Sequence, residues 1–240
     1  MVQEATMVKG YDNLSLDDGM LLDLRFTEGT GPVTFDRAKP HHKLTLVGPP
    51  TWVQTPLANV TVMDFLSDYL ECPAASTVDL NFTTGDYSIA CWVNPIDTST
   101  SMNVCGRYAL DTDGWEVYFF SLLAEGYLTL RHHHASLGPD VRDGCYSMGW
   151  VENTWQLLLI SRSGLYPLHY RNGVPLTMAY EAGGMKDPDT AARDLVIGAR
   201  FTKNADWYKR YMWGLRIWNR ALSLFDAQLM HAMERHLFGV

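Results

Sequence analysis

The sequence predicts an all-β fold: an antiparallel two-sheet sandwich with one short helix at its C-terminal end. Three observations carry this. Apolar residues recur with period two or in short runs. Gly, Pro, Asn or Asp interrupts them roughly every eight to twelve residues, and no helical repeat lies between successive runs. At 240 residues the chain matches one large domain, a size that buries roughly 70–75% of its unfolded surface without a disulfide or metal staple.

The elements follow in order. Residues 1–19 read as an N-terminal arm, and 20–240 as one domain. Met20 to Phe26 alternates and stops at Glu28-Gly29-Thr30-Gly31-Pro32. Lys43 to Val47 stops at Gly48-Pro49-Pro50, and Asp64 to Tyr69 reads as a short turn or a strand end. Tyr87 to Val93 is apolar at nearly every position, as a central strand covered on both faces must be. Trp115–Leu122 and Gly126–His132 pair through a turn at Ala124-Glu125-Gly126, and Thr154–Ser161 is the most buried-looking strand. Leu168–Arg171 precedes Asn172-Gly173, whose tolerance of positive φ signals a hairpin returning through Val174. Asp194–Gly198 and Met212–Trp218 complete the strands. A helix over 223–238 starts at Ser223, with Asp226 three residues on as a capping partner. Leu222, Phe225, Leu229, Met233 and Leu237 fall on one face of it.

Composition excludes several classes. Apolar residues at 47% and charged residues at 19% rule out intrinsic disorder. A net charge of −8 argues against nucleic-acid partners and anionic membranes. No apolar run of ~18 residues exists to span a bilayer. The opening Met1-Val2-Gln3-Glu4-Ala5-Thr6 has neither basic nor apolar signal character, so a cytoplasmic origin is expected. The triplets at Asn13, Asn59 and Asn81 carry no weight without a secretory route. Cys72, Cys91, Cys105 and Cys145 form no CxxC pair and read as buried thiols, with one disulfide through Cys91 as the alternative.

Five stretches then resemble a known family. They are Asp23–Gly29 with Asp36; His41–Gly48 with Pro50–Val53; Leu80–Pro95; Thr154-Trp155-Gln156 with Tyr170–Val174; and Arg216–Ser223. Their order is similar to the laminin G-like branch of the concanavalin A-like lectin/glucanase superfamily. The resemblance implies a jelly roll of two curved antiparallel sheets over roughly residues 20–230, with Trp92, Trp155 and Trp218 inside. It does not imply an activity, because one fold hosts many. The chain departs from the family pattern at Arg210-Tyr211-Met212-Trp213-Gly214, where a small residue and an acid are usual.

No hydrolytic machinery is legible. Glycoside hydrolysis needs two carboxylates flanking the scissile bond, and neither Glu116 nor Glu152 belongs to the Glu-x-Asp-x-x-Glu run of the related glucanases. A nucleophile elbow, a phosphate loop and a dinucleotide fingerprint are all missing, and the chain reads as non-enzymatic. Calcium is the family's usual ion. Asp111 and Asp113 before Gly114, and Asp187 and Asp189, are oxygen-rich candidates, although a plain Asp-Gly turn serves the first pair equally. Alternation puts His132 and His134 on one face, where a third ligand would complete a metal site; a polar strand end is the competing reading. His41-His42 reads as local turn chemistry. Trp115 reads as core. Trp207, Tyr208 and Tyr211, beside Lys203, Lys209 and Arg210, read as an exposed binding cluster.

Two functions compete. One is a non-catalytic structural or interaction protein, most plainly a bacteriophage virion component (capsid decoration, tail or fibre), docking on neighbouring virion subunits or on copies of itself. A secreted-type fold without secretion signals motivates that reading. The alternative is an extracellular carbohydrate-binding, lectin-like module for surface glycans, calcium-dependent or not.

Overall fold

The structure, a computed structural model, describes residues 15–39, 41–48, 50–55, 59–97, 99–120, 126–135, 142–145, 151–182 and 185–240; side chains are described for these except 15, 120, 142–145 and 179–182. The expected antiparallel sandwich with one C-terminal helix is what forms. Strands β1 (Met20–Leu24), β2 (Val33–Phe35), β3 (Lys43–Val47), β4 (Thr51–Gln54), β5 (Thr61–Phe65) and β6 (Tyr69–Cys72) lead into β7 (Tyr87–Pro95), β8 (Met102–Ala109), β9 (Asp113–Phe120) and β10 (Tyr127–His134). There follow β11 (Arg142–Cys145), β12 (Gln156–Ser163), β13 (Tyr166–Arg171), β14 (Val174–Pro175), β15 (Met178–Ala182), β16 (Leu195–Ile197), β17 (Arg210–Trp218) and the helix α1 (Leu224–Glu234). Sheet A runs β14-β13-β12-β7-β17-β5-β4, with β1 also paired to β17; sheet B runs β15-β11-β10-β9-β8-β16-β6-β3-β2.

Alternation divides the side chains. Every residue of β7 is buried. Tyr87, Ile89, Cys91 and Val93 turn to the core between the sheets, while Ser88, Ala90 and Trp92 turn outward under other elements. Sheet B contributes Trp115, Val117, Phe119, Leu128 and Leu130, all buried. Tyr87 bridges the layers: its hydroxyl lies 2.6 Å from Nε2 of His132, and its ring stacks on Phe82 at 4.4 Å. Cys72, Cys91 and Cys105 are free and buried. Burial pushes the Cys72 thiol up to about 11 and raises Cys91 and Cys105 as well, so these thiols stay protonated and inert. The side chain of Cys145 lies outside the described residues.

The hairpin at Asn172-Gly173 forms as predicted, with φ of +52° and +73°. Asp64–Tyr69 resolves into the end of β5, a turn and the start of β6. The turn expected at Ala124-Glu125 and most of the arm, residues 1–14, lie outside the described residues. The end of that arm packs against the sandwich: Ser15–Asp17 is a 3-10 turn, Leu16 is fully buried, and its carbonyl accepts from Nε1 of Trp218 at 2.6 Å.

The helix starts where its capping chemistry predicts. Ser223 Oγ accepts from the Asp226 N–H at 3.2 Å, and the Asp226 carboxylate accepts from the Ser223 N–H at 2.9 Å. Its buried face differs from the expected stripe. Asp226, Ala227, Met230 and Glu234 are buried, while Phe225 is 67% exposed. The reason lies in sheet A. Glu234 receives Nη1 and Nη2 of Arg216 at 2.9 and 2.7 Å and Nε1 of Trp92 at 2.8 Å. This charge-assisted set rotates a carboxylate inward where hydrophobic spacing alone placed Leu229 and Met233.

Candidate functional site

The outer face of sheet B is buried at its centre and partly exposed toward β6, at Tyr69 and Glu71. Its outward positions run across the sheet as Arg131 and His133 on β10, Glu116 and Tyr118 on β9, Asn103 and Tyr108 on β8, Val196 on β16, and Tyr69 and Glu71 on β6. At its base Glu116 is 5% exposed. One carboxylate oxygen lies 3.1 Å from Nε2 of His133, and the other accepts from Asn103 Nδ2 at 2.7 Å. Tyr108 stacks on the His133 ring at 4.6 Å, and Phe201 tilts onto Tyr108 at 5.0 Å. A column of rings thus rises from the sheet to the half-buried Phe201. Burial, aided by the Glu116 charge, raises the Tyr108 phenol and keeps it protonated.

Beside that column lies a cleft of about 240 Å³, lined by Tyr108, Ala192, Arg193, Asp194, Val196, Phe201 and Lys203. Its rim is charged and aromatic. Lys203 Nζ donates to Glu71 at 2.7 Å and to Asp194 at 2.9 Å, and sits 5.9 Å from the Tyr69 ring centroid. Burial pulls the Lys203 ammonium down, but the hydrogen bonds to Glu71 and Asp194 prevail and lift it to about 12. Tyr69 in turn stacks on Trp207, with centroids 6.2 Å apart and planes 30° apart. Arg193, exposed, is held by Asp113 at 3.0 Å. Half-exposed rings beside hydrogen-bonded planar groups can stack on an apolar ligand face and bond its hydroxyls.

The aromatic cluster expected from sequence divides three ways. Trp207 stacks on Tyr69, whose ring faces Lys203 of the cleft. Tyr208 is core and not an exposed ligand contact: it is fully buried, edge-on to Phe65 at 6.0 Å, and donates to the Tyr211 carbonyl at 3.0 Å. Arg210 and Tyr211 lie on β17 in the other sheet. The Arg210 guanidinium is 4.2 Å from the Tyr211 centroid, and that ring stacks on Trp155 at 6.1 Å. The backbone explains the split, because Arg210 adopts φ of +105° and turns the chain into sheet A.

The four aspartates considered for calcium each face a basic side chain of the protein. Asp111 pairs with Arg131 at 2.8 Å, Asp113 with Arg193, Asp189 with His134 at 3.2 Å, and Asp187 with the buried Arg162. Asp111–Gly114 is a plain hairpin turn between β8 and β9. Gly114 has φ of +87°, and a Cβ there would lie 1.9 Å from the Arg107 carbonyl oxygen, so glycine is required. Among the described residues no group of three His, Cys, Asp or Glu side chains is placed to hold a metal. His132 is 1% exposed, and both its ring nitrogens are engaged, by the Tyr87 hydroxyl at 2.6 Å and the Lys186 carbonyl at 2.5 Å. Burial drives it down to about 3, and it is a neutral core residue. His42 is buried between Asp36 of its own turn at 2.8 Å and Asp79, 37 residues on, at 3.1 Å, so its chemistry is only partly local. Sequence reasoning missed Tyr69, Glu71, Asp194 and Phe201, which come together only through strand pairings distant in sequence.

Comparison with known proteins agrees with this architecture. A structure of the binding domain of botulinum neurotoxin DC in complex with rat synaptotagmin II superposes with a TM-score of 0.64 at 12% identity, over 91% of this chain and 52% of that one. The binding domain of Paraclostridial Mosquitocidal Protein 1 gives 0.66 at 13% identity, over 90% and 52%. This chain therefore spans about half the length of those toxin domains. Domain 4 of AbnA, a GH43 extracellular arabinanase from Geobacillus stearothermophilus, solved in complex with arabinotriose, gives 0.66 at 15% identity over 88% of this chain and 98% of that one. No curated protein sequence matches the chain. The model of the concanavalin A-like lectin/glucanases superfamily matches residues 67–226, and with the sandwich, its register and its sealed tryptophans in place, the chain belongs to that superfamily.

Proposed function

We propose that this domain is a non-catalytic carbohydrate-binding module that holds a short glycan in the sheet-B cleft. The observation that carries the reading is the half-exposed Tyr69–Trp207 pair set against Lys203, Glu71 and Asp194. Rings of this kind stack on the C–H face of a sugar, and the adjoining charged groups bond its hydroxyls. At about 240 Å³ the cleft is smaller than the roughly 300–1,000 Å³ of drug-sized pockets and suits a ring or two. The arabinotriose-bound domain, matched over 98% of its length, supports the same class of ligand.

A binding role is also favoured over hydrolysis by Glu116. It is buried, with both oxygens occupied by His133 and Asn103, and so is poorly placed to attack a substrate. The virion reading gains nothing from these relatives, and the carbohydrate-binding alternative takes its place, with an extracellular setting as part of the proposal. A neutral-glycan array that includes arabino-oligosaccharides, probed with the purified chain, tests it. A family of related binders that is lost on Trp207→Ala is expected; an array with no binder overturns the reading.

A further inference from the structure

We propose that a second cleft, between β1 and the loop that follows β2, takes the charged end of an anionic sugar. The cleft has a volume of about 510 Å³, and among its lining residues are Arg25, Arg37, Lys39 and His41, with Asp17 and Asp23. None of these lines the sheet-B cleft. Within a chain of net charge −8, residues 37–43 carry Arg37, Lys39 and Lys43 with two histidines and no acid. Of these, Arg37, Lys39 and His41 line the cleft, which places one arginine and one lysine charge in one concavity of an acidic molecule.

The loop is built to hold that charge in place. Asp36 is 3% exposed, and its Oδ1 accepts from the N–H groups of Asp23 and Ala38, both at 2.7 Å. Its Oδ2 faces Nδ1 of His42 at 2.8 Å, and the Arg37 N–H donates to the Asp23 carbonyl at 3.0 Å. His41 adopts φ of +69°, the sharp turn that closes the loop. Arg25 is committed to Asp23 at 2.7 Å, so that pair is neutral toward a ligand. Arg37 and Lys39 are exposed and make no ion pair among the described residues, leaving a guanidinium and an ammonium in the lining. The cations suit a carboxylate. The described lining includes no Trp, Tyr or Phe on which a nucleobase would stack.

The word sugar rests on the carbohydrate reading, whereas the anion preference rests on this cleft alone. Titration of the full chain with trigalacturonate, with its methyl ester and with inorganic phosphate separates the two. The acidic trimer is expected to bind and its ester not to bind. Its affinity should fall as salt rises from about 20 to 200 mM. The double variant Arg37→Ala/Lys39→Ala, both exposed positions, should weaken it at least about tenfold with an unchanged unfolding midpoint, while Trp207→Ala leaves it intact. Equal binding of ester and acid, indifference to the double variant, or no binding of the trimer overturns the inference. Phosphate binding with a silent trimer overturns it in favour of a bare-anion site. A failed neutral-glycan array leaves this result untouched.

Discussion

The outer faces of the two sheets use similar chemistry to opposite ends. On sheet A, rings and a cation–carboxylate pair are sealed. Phe238 packs at 4.3 Å on Trp155 and 4.7 Å on Trp92, and Arg216 is fully buried against Glu234 at 3% exposure. On sheet B the corresponding set, Tyr69, Trp207, Lys203, Glu71 and Asp194, stays half-exposed, with the Lys203 side chain at 28%. The difference is one helix. Where α1 and the segment after it lie across the sheet, aromatics and charges become packing; at the β6 side of sheet B, where no helix among the described residues lies above them, they stay partly exposed and available to a ligand. Residue type alone therefore does not distinguish a site from a core, and what lies above it does.

The largest expected effect attacks the sealed face. Glu234→Ala strands the Arg216 guanidinium and the Trp92 indole N–H in a dry interior and should cost about 3–5 kcal/mol, read from urea unfolding; a cost below about 1 kcal/mol would mean the seal is not structural. Titration sharpens the contrast next. His132 is held at about 3 in the folded state against 6.5 unfolded. The unfolded chain therefore takes up a proton first, and stability present above pH 6.5 is lost on descending toward 3, at up to about 1.4 kcal/mol per pH unit. His169, also lowered to about 3 by burial, shares this slope, so His132→Gln should reduce it without abolishing it. His42 works the other way. Its folded value is raised, burial being outweighed by Asp36 and Asp79, so its contribution is complete below pH 6.5 and fades as pH rises through that raised value. The sheet-B cleft should not follow the acid trend: with Lys203 near 12, glycan affinity there should stay flat between about pH 6 and 9.

Smaller effects belong to the rim. Trp207→Ala should weaken glycan binding about tenfold while moving stability by less than about 1 kcal/mol, since it removes a half-exposed ring. Lys203→Met should change stability by about 0–1 kcal/mol and affinity severalfold, by calorimetry on the same glycan. A large stability loss in either variant would make the rim a second seal and erase the difference between the faces.

Much of the scaffold was legible because its signals are local. Tyr87–Val93 shows its burial in every residue, Asn172-Gly173 carries its own turn, and Ser223 with Asp226 caps a helix three residues apart. The site was legible only in part, as Trp207 beside Lys203, because its other members are joined by sheet order. Tyr69 on β6 meets Trp207 and Lys203 only through the pairing of β16 with β6, a crossover that no hairpin signal announces. The neighbours Trp207 and Tyr208 look alike in sequence and end on opposite sides of the wall. Glu234 was missed for a related reason: helical periodicity counts apolar residues, and a carboxylate drawn inward by a distant arginine breaks the count. The four aspartates illustrate the converse, since oxygen-rich spacing resembled a cation site although each acid faces a basic side chain, three of them an arginine and one a histidine.

The most direct test of the account is a titration of the isotopically labelled chain with a glycan that it binds, followed at the indole N–H resonances of its tryptophans. Movement of Trp207 and of the backbone at Arg193 and Lys203, with Trp92, Trp155 and Trp213 still, is the predicted result. Shifts centred on those three tryptophans beneath α1, with Trp207 unmoved, would contradict it and place the ligand on the face described here as closed.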